Sequence, residues 1–268
     1  MLKARLLTAF VLLPMVIGAV WFDQPLPWLT VLVVVWGALA VSEFYKTVSK
    51  SATGPIPFTA FGIVMTVLLI ISPHFKTDNL LPILITIAVV VPIFGMLMRK
   101  NKGDAFASWA WTLAGIFYIG WLLSHFVLLR DLEMGREWVF FALLVNVASD
   151  TFAYFIGKTW GKHKLAPSVS PKKTTEGALG GVLGAVLIGL GLVWLFGLPI
   201  NYGVAILLAV LVSIFGQFGD LFESLFKRNM AIKDSGKTLP GHGGFLDRID
   251  SLLFAGVIVY YFVVLFVN

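Results

Sequence analysis

The chain has 268 residues, of which 59% are hydrophobic and 13% are charged, and it contains no cysteine. Soluble domains have about 45–50% apolar and about 25% charged residues, so this composition indicates an integral membrane protein. The absence of cysteine excludes disulfides, thiolate catalysis and cysteine-ligated zinc. The net charge of +6 does not indicate nucleic-acid binding, because the basic residues are divided among short loops.

Hydropathy predicts an all-α, polytopic membrane protein in which each helix crosses about 30 Å of hydrocarbon. The nine predicted spans are residues 6–22, 27–46, 57–73, 79–98, 106–129, 137–157, 177–197, 203–225 and 249–267. Of the 20 Lys and Arg residues, 17 then fall on the side of the N-terminus and three on the other side. This asymmetry predicts a cytoplasmic N-terminus and a C-terminus outside.

Residues 1–135 are interpreted as N-terminal scaffold helices, because they carry few ionisable groups within the predicted spans. Glu43 is the exception, and we expect an interfacial carboxylate paired with Lys46 nearly one helical turn further on. A buried structural or site role is the alternative. Residues 136–268 are interpreted as the catalytic transmembrane region, which contains the charged stretch 224–250.

The sixth predicted span carries Ser149 and Asp150 in the middle of an apolar run. A carboxylate inside a membrane helix is a functional hypothesis by default, because it is costly in hydrocarbon. The alternative is a packing residue that forms a hydrogen bond, with Asn146 one turn away as its partner.

The loop from Gly157 to Glu176 contains five lysines and several hydroxyl groups. Its Ser170-Pro171 pair predicts a helix start, with Glu176 near the positive end of the helix dipole. Lysines and free backbone N–H groups at such a start favour phosphate binding. From lysine content alone, a positively charged cytoplasmic loop without a substrate remains the simpler interpretation.

The seventh predicted span has glycines in two G-x-x-x-G spacings, 177/181 and 180/184. Small residues at this spacing let membrane helices approach closely. We therefore predict a packing face, either within one subunit or between subunits.

The eighth span ends with Asp220, Glu223, Ser224 and Lys227 on one face of a helix. Asp247 and Asp250 repeat the i, i+3 spacing where the ninth span begins. Carboxylates that can converge suit Mg²⁺, which prefers oxygen ligands and shares its coordination shell with phosphates. The glycine-rich segment 240–244 between these helices has a backbone that can follow a ligand closely.

These residues resemble the signature of the phosphatidate cytidylyltransferases, or CDP-diacylglycerol synthases. The matching signature residues are Ser224, Lys227, Arg228, Lys233, Asp234, Pro240, His242, Gly243, Gly244, Asp247, Arg248 and Asp250. The matching upstream residues are Asp150, Ala153, Tyr154, Phe155, Gly157, Lys158, Ser170, Pro171, Lys173, Thr174, Glu176 and Gly177. The detailed likeness covers about residues 150–250, and the other spans resemble the family in hydropathy.

The resemblance implies that CTP and phosphatidate react to CDP-diacylglycerol and pyrophosphate with Mg²⁺, the number of ions being left open. Together with the distribution of Lys and Arg, it implies a multi-pass protein of the inner (cytoplasmic) membrane with its active site facing the cytoplasm. The family and the glycine-rich span together suggest a homodimer. We expect metal binding by Asp220, Asp247 and Asp250, and phosphate binding by Lys227, Arg228, Lys233 and Arg248. Lys173 and Thr174 are expected to close over the site. His242 is expected to orient a phosphate or a turn. The further expected substrate-binding residues are Asp150, Ser170, Glu176, Ser224, Asp234, Gly243 and Gly244.

Three other interpretations stay open. Another CTP-dependent lipid enzyme, such as a CDP-archaeol synthase or a polyprenol kinase, differs in the chemistry of the lipid chain. A CDP-alcohol phosphotransferase fits less well, because Asp250 is followed by Ser251 where that family has an Asp-Gly pair. An ion-coupled transporter with Asp150 and Asp220 as coupling carboxylates is disfavoured, because the sequence has no internal repeat.

Overall fold

The computed structural model describes residues 2–22, 26–51, 55–99, 102–232, 235–236 and 243–267, with side chains described from residue 10 onward. In these ranges the chain is mostly helical. The helices are α1 (Leu2–Trp21), α2 (Trp28–Lys50), α3 (Thr59–Ile71), α4 (Leu80–Met98), α5 (Ala105–Gly115), α6 (Leu122–Arg130), α7 (Gly135–Trp160), α8 (Thr175–Phe196), α9 (Tyr202–Asn229) and α10 (Leu246–Phe266). A 3-10 turn (Ser72–His74) follows α3, and a π-helical turn (Ile116–Trp121) joins α5 to α6.

Within the described ranges, seven helices are long and apolar enough to cross a membrane, with Ala105–Arg130 taken as one helix. The other six are α2, α4, α7, α8, α9 and α10. Shorter apolar helices cover Phe10–Trp21 and Thr59–His74. The prediction of an all-α, polytopic membrane protein is therefore confirmed, while the number of nine spans and the sidedness of the termini remain predictions.

The chain divides into two compact units. The first comprises residues 1–127 and 230–247, and the second comprises residues 128–229 and 248–268. The described residues among 230–247, which the sequence analysis grouped with the C-terminal region, thus have their contacts mainly with the N-terminal helices.

The core of the first unit lies between α3, α4 and the π-helical turn. Met65, Leu69, Leu84, Ala88 and Ile116 form its buried cluster. Lipid tails are as apolar as these side chains, so in the bilayer close van der Waals packing, and not removal from water, stabilises the cluster.

A buried tyrosine ties α2 to α5 in the same unit. The Tyr45 hydroxyl donates a hydrogen bond to the Thr112 carbonyl at 2.7 Å. Its ring lies against Gly62 and Gly115, where a β-carbon would overlap with ring atoms. The two glycines therefore let α3 and α5 close around this ring.

Close packing of α7 against α8 dominates the second unit. A β-carbon at Gly181 would lie 2.9 Å from the Ser149 carbonyl oxygen, and one at Gly184 would overlap with the Phe152 ring. The predicted glycine face is therefore a packing surface within one subunit. It brings α8 against the part of α7 that carries Asp150.

Helix α9 is positioned by α7 and α10. The Ser149 and Ser213 hydroxyls form a hydrogen bond of 2.7 Å between α7 and α9. A β-carbon at Gly219 would lie 2.5 Å from the Asp250 carbonyl oxygen. Gly219 thus allows the start of α10 to lie directly against α9 next to Asp220.

Candidate active site

The last turns of α9 carry a polar stripe, as the sequence predicted. Glu223 is 1% exposed, and its carboxylate forms an ion pair with the ammonium of Lys227. The Ser224 hydroxyl donates to Asp220 Oδ1 at 3.4 Å. The i, i+4 spacing of a helix accounts for both contacts. Asp220 is left partly exposed, with 37% of its side chain accessible.

The lysine that contacts Asp220, Lys173, lies on a β-hairpin. Strands β1 (Lys164–Ala166) and β2 (Ser170–Thr174) pair antiparallel, with Lys164 opposite Thr174. Lys173 Nζ lies 2.7 Å from Asp220 Oδ2. The structure therefore brings together two residues that the sequence analysis had assigned to metal and substrate separately.

The predicted helix start at Ser170-Pro171 is wrong, because residues 170–174 form β2 and α8 begins at Thr175. Thr174 is the N-cap, with extended backbone geometry, and its hydroxyl accepts a hydrogen bond from the Gly177 amide at 3.2 Å. A threonine cap satisfies one of the free N–H groups at the helix start. It also gives Thr174 a structural task besides its expected substrate role.

Glu176, at the start of α8, forms hydrogen bonds with residues that closely follow α7. Its carboxylate accepts hydrogen bonds from the amides of Lys162 and His163, at 3.1 and 3.2 Å. The Nδ1 atom of His163 lies 2.6 Å from Oε1 of the same carboxylate. Glu176 lies in the first turn of α8, as predicted, but the partners that the structure gives it are protein groups of the hairpin base.

Asp150 is held through a short polar chain. The Ser251 hydroxyl donates to Asp150 Oδ2 at 3.3 Å, and the Asn146 side-chain amide donates to the Ser251 oxygen at 2.9 Å. Asn146 thus acts on Asp150 through Ser251. Asn146 and Ser251 are buried, at 2% and 5% exposure, so the hydrogen bond between them is sheltered from water, whereas Asp150 itself is exposed.

Three carboxylates of the second unit lie within electrostatic reach of one another: those of Asp150, Asp220 and Asp250. Asp250 is 8% exposed, and its Oδ1 accepts a hydrogen bond from the Ser251 amide at 2.8 Å. Lys173 and Lys227 provide positive charge beside this group. Like charges so close together are unfavourable unless cations compensate them.

This donor set fits a hard cation in type, because every ligand candidate is a carboxylate oxygen. Among the described residues, however, no group of three or more His, Cys, Asp or Glu side chains has the arrangement of a metal site. The carboxylates are therefore near one another without already being placed as a coordination shell.

Asp247 belongs by its contacts to the first unit. It holds together residues 235 and 244 of the signature segment, defined as the charged stretch 224–250. Its Oδ2 accepts hydrogen bonds from the Ser235 amide at 3.0 Å, the Ser235 hydroxyl at 2.9 Å and the Gly244 amide at 2.8 Å. Gly243 has a φ of 86°, a backbone conformation that favours glycine. The expected metal role of Asp247 remains a prediction.

Some of the remaining predicted site residues are described by the structure and others are not. Arg228 Nε donates to the Val169 carbonyl at 3.2 Å, next to Ser170, so α9 also supports the hairpin. Arg248 is exposed. The predicted site residues that lie outside the described residues are Lys233, Asp234 and His242.

For Glu43, the structure supports the alternative of a buried role over that of an exposed carboxylate. Its side chain is buried, at 7% exposure, and it accepts a hydrogen bond from the Leu246 amide at 3.1 Å. Sequence reasoning also missed Thr47, Ser235 and Ser251 as contributors. For Ser251, its position directly after the signature aspartate is a signal that could have been used, but Thr47 gives no such signal.

The apolar helices define a membrane protein, and its second unit brings the carboxylates of Asp150, Asp220 and Asp250 near the ammonium groups of Lys173 and Lys227. The family model described as "Cytidylyltransferase family" matches residues 3–266, so the chain belongs to the cytidylyltransferase family. The chain is therefore a membrane-bound nucleotidyltransferase.

Named relatives support the same assignment. A protein named phosphatidate cytidylyltransferase from Bacillus subtilis is 33% identical over 240 residues, covering 88% of this chain and 89% of that protein. One of the same name from Brucella abortus is 38% identical over 235 residues, covering 85% and 83%. A Staphylococcus haemolyticus protein of this name is 35% identical over 205 residues, covering 76% and 77%. The resemblance inferred from residues 150–250 is thus confirmed and extends over nearly the whole chain.

Proposed function

We propose that this chain condenses CTP with phosphatidate, giving CDP-diacylglycerol and pyrophosphate, as a step of phospholipid biosynthesis. The observation that carries the proposal is the group of Asp150, Asp220 and Asp250 with Lys173 ion-paired to Asp220. It combines anionic oxygen ligands with ammonium groups, which is what a reaction between two phosphate compounds requires. The names of the relatives supply the choice of phosphatidate.

In the proposed reaction, a phosphate oxygen of phosphatidate attacks the α-phosphorus of CTP. One O–P bond forms, and the bond from the α-phosphorus to the bridging oxygen of the leaving pyrophosphate breaks. The nucleophile is already an anion, so the protein's main tasks are to align the reactants and neutralise their charge. No strong general base is needed, which agrees with the expectation that His242 orients a phosphate or a turn.

The described residues can share these tasks. Lys173 and Lys227 supply ammonium groups for phosphate oxygens, and Asp220 and Glu223 hold those groups in position. Arg228 supports the hairpin that presents Lys173. Charges fixed in advance in this way stabilise a transition state without reorganising during the reaction.

We propose Mg²⁺ as the cofactor, held by Asp220 and Asp250, with Asp150 nearby. When bound, Mg²⁺ would neutralise phosphate charge. Asp150 is oriented for such a role by Ser251 and Asn146. The proposal of Asp247 as a third ligand rests on the sequence signature alone.

The proposed location is the inner (cytoplasmic) membrane, with the site facing the cytoplasm. The excess of Lys and Arg on one side of the predicted spans supports this orientation. A homodimer is also proposed, from the family resemblance. Light scattering of the purified protein in detergent would test it.

The experiment that tests the proposed function follows label from CTP into lipid. Purified protein receives α-labelled CTP, phosphatidate in detergent micelles and Mg²⁺, and both lipid-phase label and released pyrophosphate are measured. We expect equimolar products, loss of both with EDTA, and at least about a hundredfold loss of rate in Asp220→Asn. Asp131→Asn is the matched control, because Asp131 is an exposed residue in the turn before α7.

Other outcomes would separate the competing interpretations. Label entering lipid only with archaetidic acid as acceptor would replace phosphatidate as the substrate. A polyprenol kinase would transfer the γ-phosphate of CTP instead, so release of CDP with a polyprenol present and no α-label in lipid would indicate that reaction. Absence of label with every lipid phosphate, from protein that remains folded, would refute the proposed reaction. Full activity in Asp220→Asn would keep the reaction and refute the metal assignment.

A further inference from the structure

One face of α2 contacts the end of the signature segment. Trp36, Glu43 and Thr47 lie at i, i+7 and i+11, which places them on the same side of a helix. The Trp36 ring lies 6.2 Å from the Phe245 ring, between centroids. The two other residues make polar contacts with the segment, so this face combines an apolar contact with hydrogen bonds.

The hydrogen bonds from α2 reach backbone groups on both parts of the segment that the structure describes. Glu43 Oε2 accepts from the Leu246 amide at 3.1 Å, and the Thr47 hydroxyl donates to the Ser235 carbonyl at 3.2 Å. Backbone partners make these contacts independent of the side chains at 235 and 246. These two hydrogen bonds therefore fix the backbone positions of residues 235 and 246 relative to α2.

Both Gly236 and Gly244 lie directly against the Glu43 carboxylate. A β-carbon at either position would overlap with a Glu43 oxygen, and at Gly244 also with the Ser235 hydroxyl. The carboxylate therefore fills the space that side chains at positions 236 and 244 would occupy.

The contacts converge on Asp247. Ser235 and Gly244, both held beside Glu43 or Thr47, donate hydrogen bonds to Asp247 Oδ2. Leu246, which donates to Glu43, is the neighbour of Asp247 in the chain. Loss of the hydrogen bonds made by Glu43 or Thr47 would therefore change the orientation of the Asp247 carboxylate.

A buried carboxylate is a costly way to fill space in a membrane helix, because an apolar side chain would pack there without a desolvation penalty. Its retention at position 43 is explained if its oxygens set the backbone course of residues 235–236 and 243–247.

We propose that Glu43 and Thr47 are positioning residues for the reaction, acting on Asp247 through the Leu246 amide and the Ser235 carbonyl. The inference rests on the proposed function, because it takes Asp247 as part of the reacting site. It assigns an active-site task to helix α2, in the part of the chain that the sequence analysis had interpreted as scaffold.

The test compares Glu43→Ala, Glu43→Gln and Thr47→Val with Ser42→Ala as control. The Ser42 hydroxyl donates to the Ala38 carbonyl of its own helix, so Ser42→Ala changes α2 without touching the segment. Steady-state kinetics give kcat and KM for CTP, and thermal unfolding in detergent reports folding. Hydrogen exchange of the peptide covering 243–247 reports the segment without requiring activity.

A displaced catalytic group lowers kcat by roughly ten- to a hundredfold, so we expect this loss in Glu43→Ala with an unchanged KM for CTP. Glu43→Gln keeps an acceptor oxygen and should restore most of the rate. Thr47→Val, which is nearly isosteric, should lose several-fold in kcat. In Glu43→Ala the 243–247 peptide should exchange faster, whereas Ser42→Ala should match the wild type in every measurement.

Several results would overturn the inference. These are wild-type kcat in Glu43→Ala, equal losses in Glu43→Gln and Glu43→Ala, or unchanged exchange of the 243–247 peptide. If Glu43→Ala does not fold, Thr47→Val decides, and wild-type kcat in that variant refutes positioning by α2. A wild-type protein that is inactive with phosphatidate refutes the proposed function instead, and the exchange measurement still tests the contact.

Discussion

Lys173 and Asp220 form an ion pair of 2.7 Å between strand β2 and helix α9, across 47 positions of the chain. Asp220 was predicted as a metal ligand and Lys173 as a group that closes over the substrate. Their contact indicates that each holds the other in position, so removal of either should affect both tasks.

Lys173→Met is expected to lower kcat/KM for CTP by about 10²–10³-fold, because it removes a fixed positive charge from the phosphate site. It also leaves Asp220 without this partner beside two other carboxylates. The label-transfer assay measures the effect. Lys172→Met is the matched control, since Lys172 is the exposed neighbour on the same strand. Equal losses in the two variants would show that overall loop charge, and not the ion pair, is what matters.

Ser251→Ala is expected to lower kcat several-fold and to destabilise the protein by ~1–3 kcal/mol, because it removes the acceptor of a buried Asn146 amide. It also removes the hydrogen bond to Asp150. Thr151→Ala, beside Asp150 on α7, is the control, because the Thr151 hydroxyl donates to the Val147 carbonyl of its own helix. Wild-type kinetics in Ser251→Ala would contradict a role of the polar chain in orienting Asp150.

Gly184→Ala is expected to destabilise the protein by ~1–3 kcal/mol, because a β-carbon would overlap with Phe152 where α7 packs against α8. Gly191→Ala on the same helix should be neutral or slightly stabilising, because no atom lies within 4 Å of its β-carbon position. Thermal unfolding in detergent measures both. Similar melting temperatures for the two variants would contradict close packing at Gly184.

Glu176→Ala is expected to loosen the base of the hairpin, because it removes the acceptor for the Lys162 and His163 amides. Since the hairpin presents Lys173, KM for CTP should rise several-fold, and hydrogen exchange at residues 162–166 should become faster. Glu133→Ala, at an exposed acidic residue in the turn before α7, is the control. Unchanged hydrogen exchange at residues 162–166 in Glu176→Ala would show that the hydrogen bonds of Glu176 are not needed to hold the base of the hairpin.

The cysteine-free chain allows its membrane orientation to be tested directly. Ser168→Cys in the hairpin turn and Thr77→Cys between α3 and α4 lie at exposed positions. The distribution of basic residues predicts a cytoplasmic Ser168 and an external Thr77. A membrane-impermeant maleimide should therefore label only Thr77→Cys in intact cells and both variants after lysis. The opposite pattern would reverse the proposed orientation.

Much of the site could be predicted because its chemistry is local in sequence. The stripe from Asp220 to Lys227 follows from helix periodicity, and the glycine face of α8 follows from its spacing. The hairpin could not be predicted in this way. Ser170-Pro171 is compatible with a helix start, but pairing with residues 164–166 stabilises an extended segment, so α8 begins four residues later than Pro171.

The class of protein, the helical architecture and the family follow from the order of residues alone, because hydropathy and a long signature are read along the chain. The pairing of distant groups required the folded chain: Lys173 with Asp220, Ser251 with Asp150, and Glu43 with the Leu246 amide. These pairs join residues that are 47, 101 and 203 positions apart. Local periodicity carries no information about such contacts, because the packing of whole helices sets which of their faces meet.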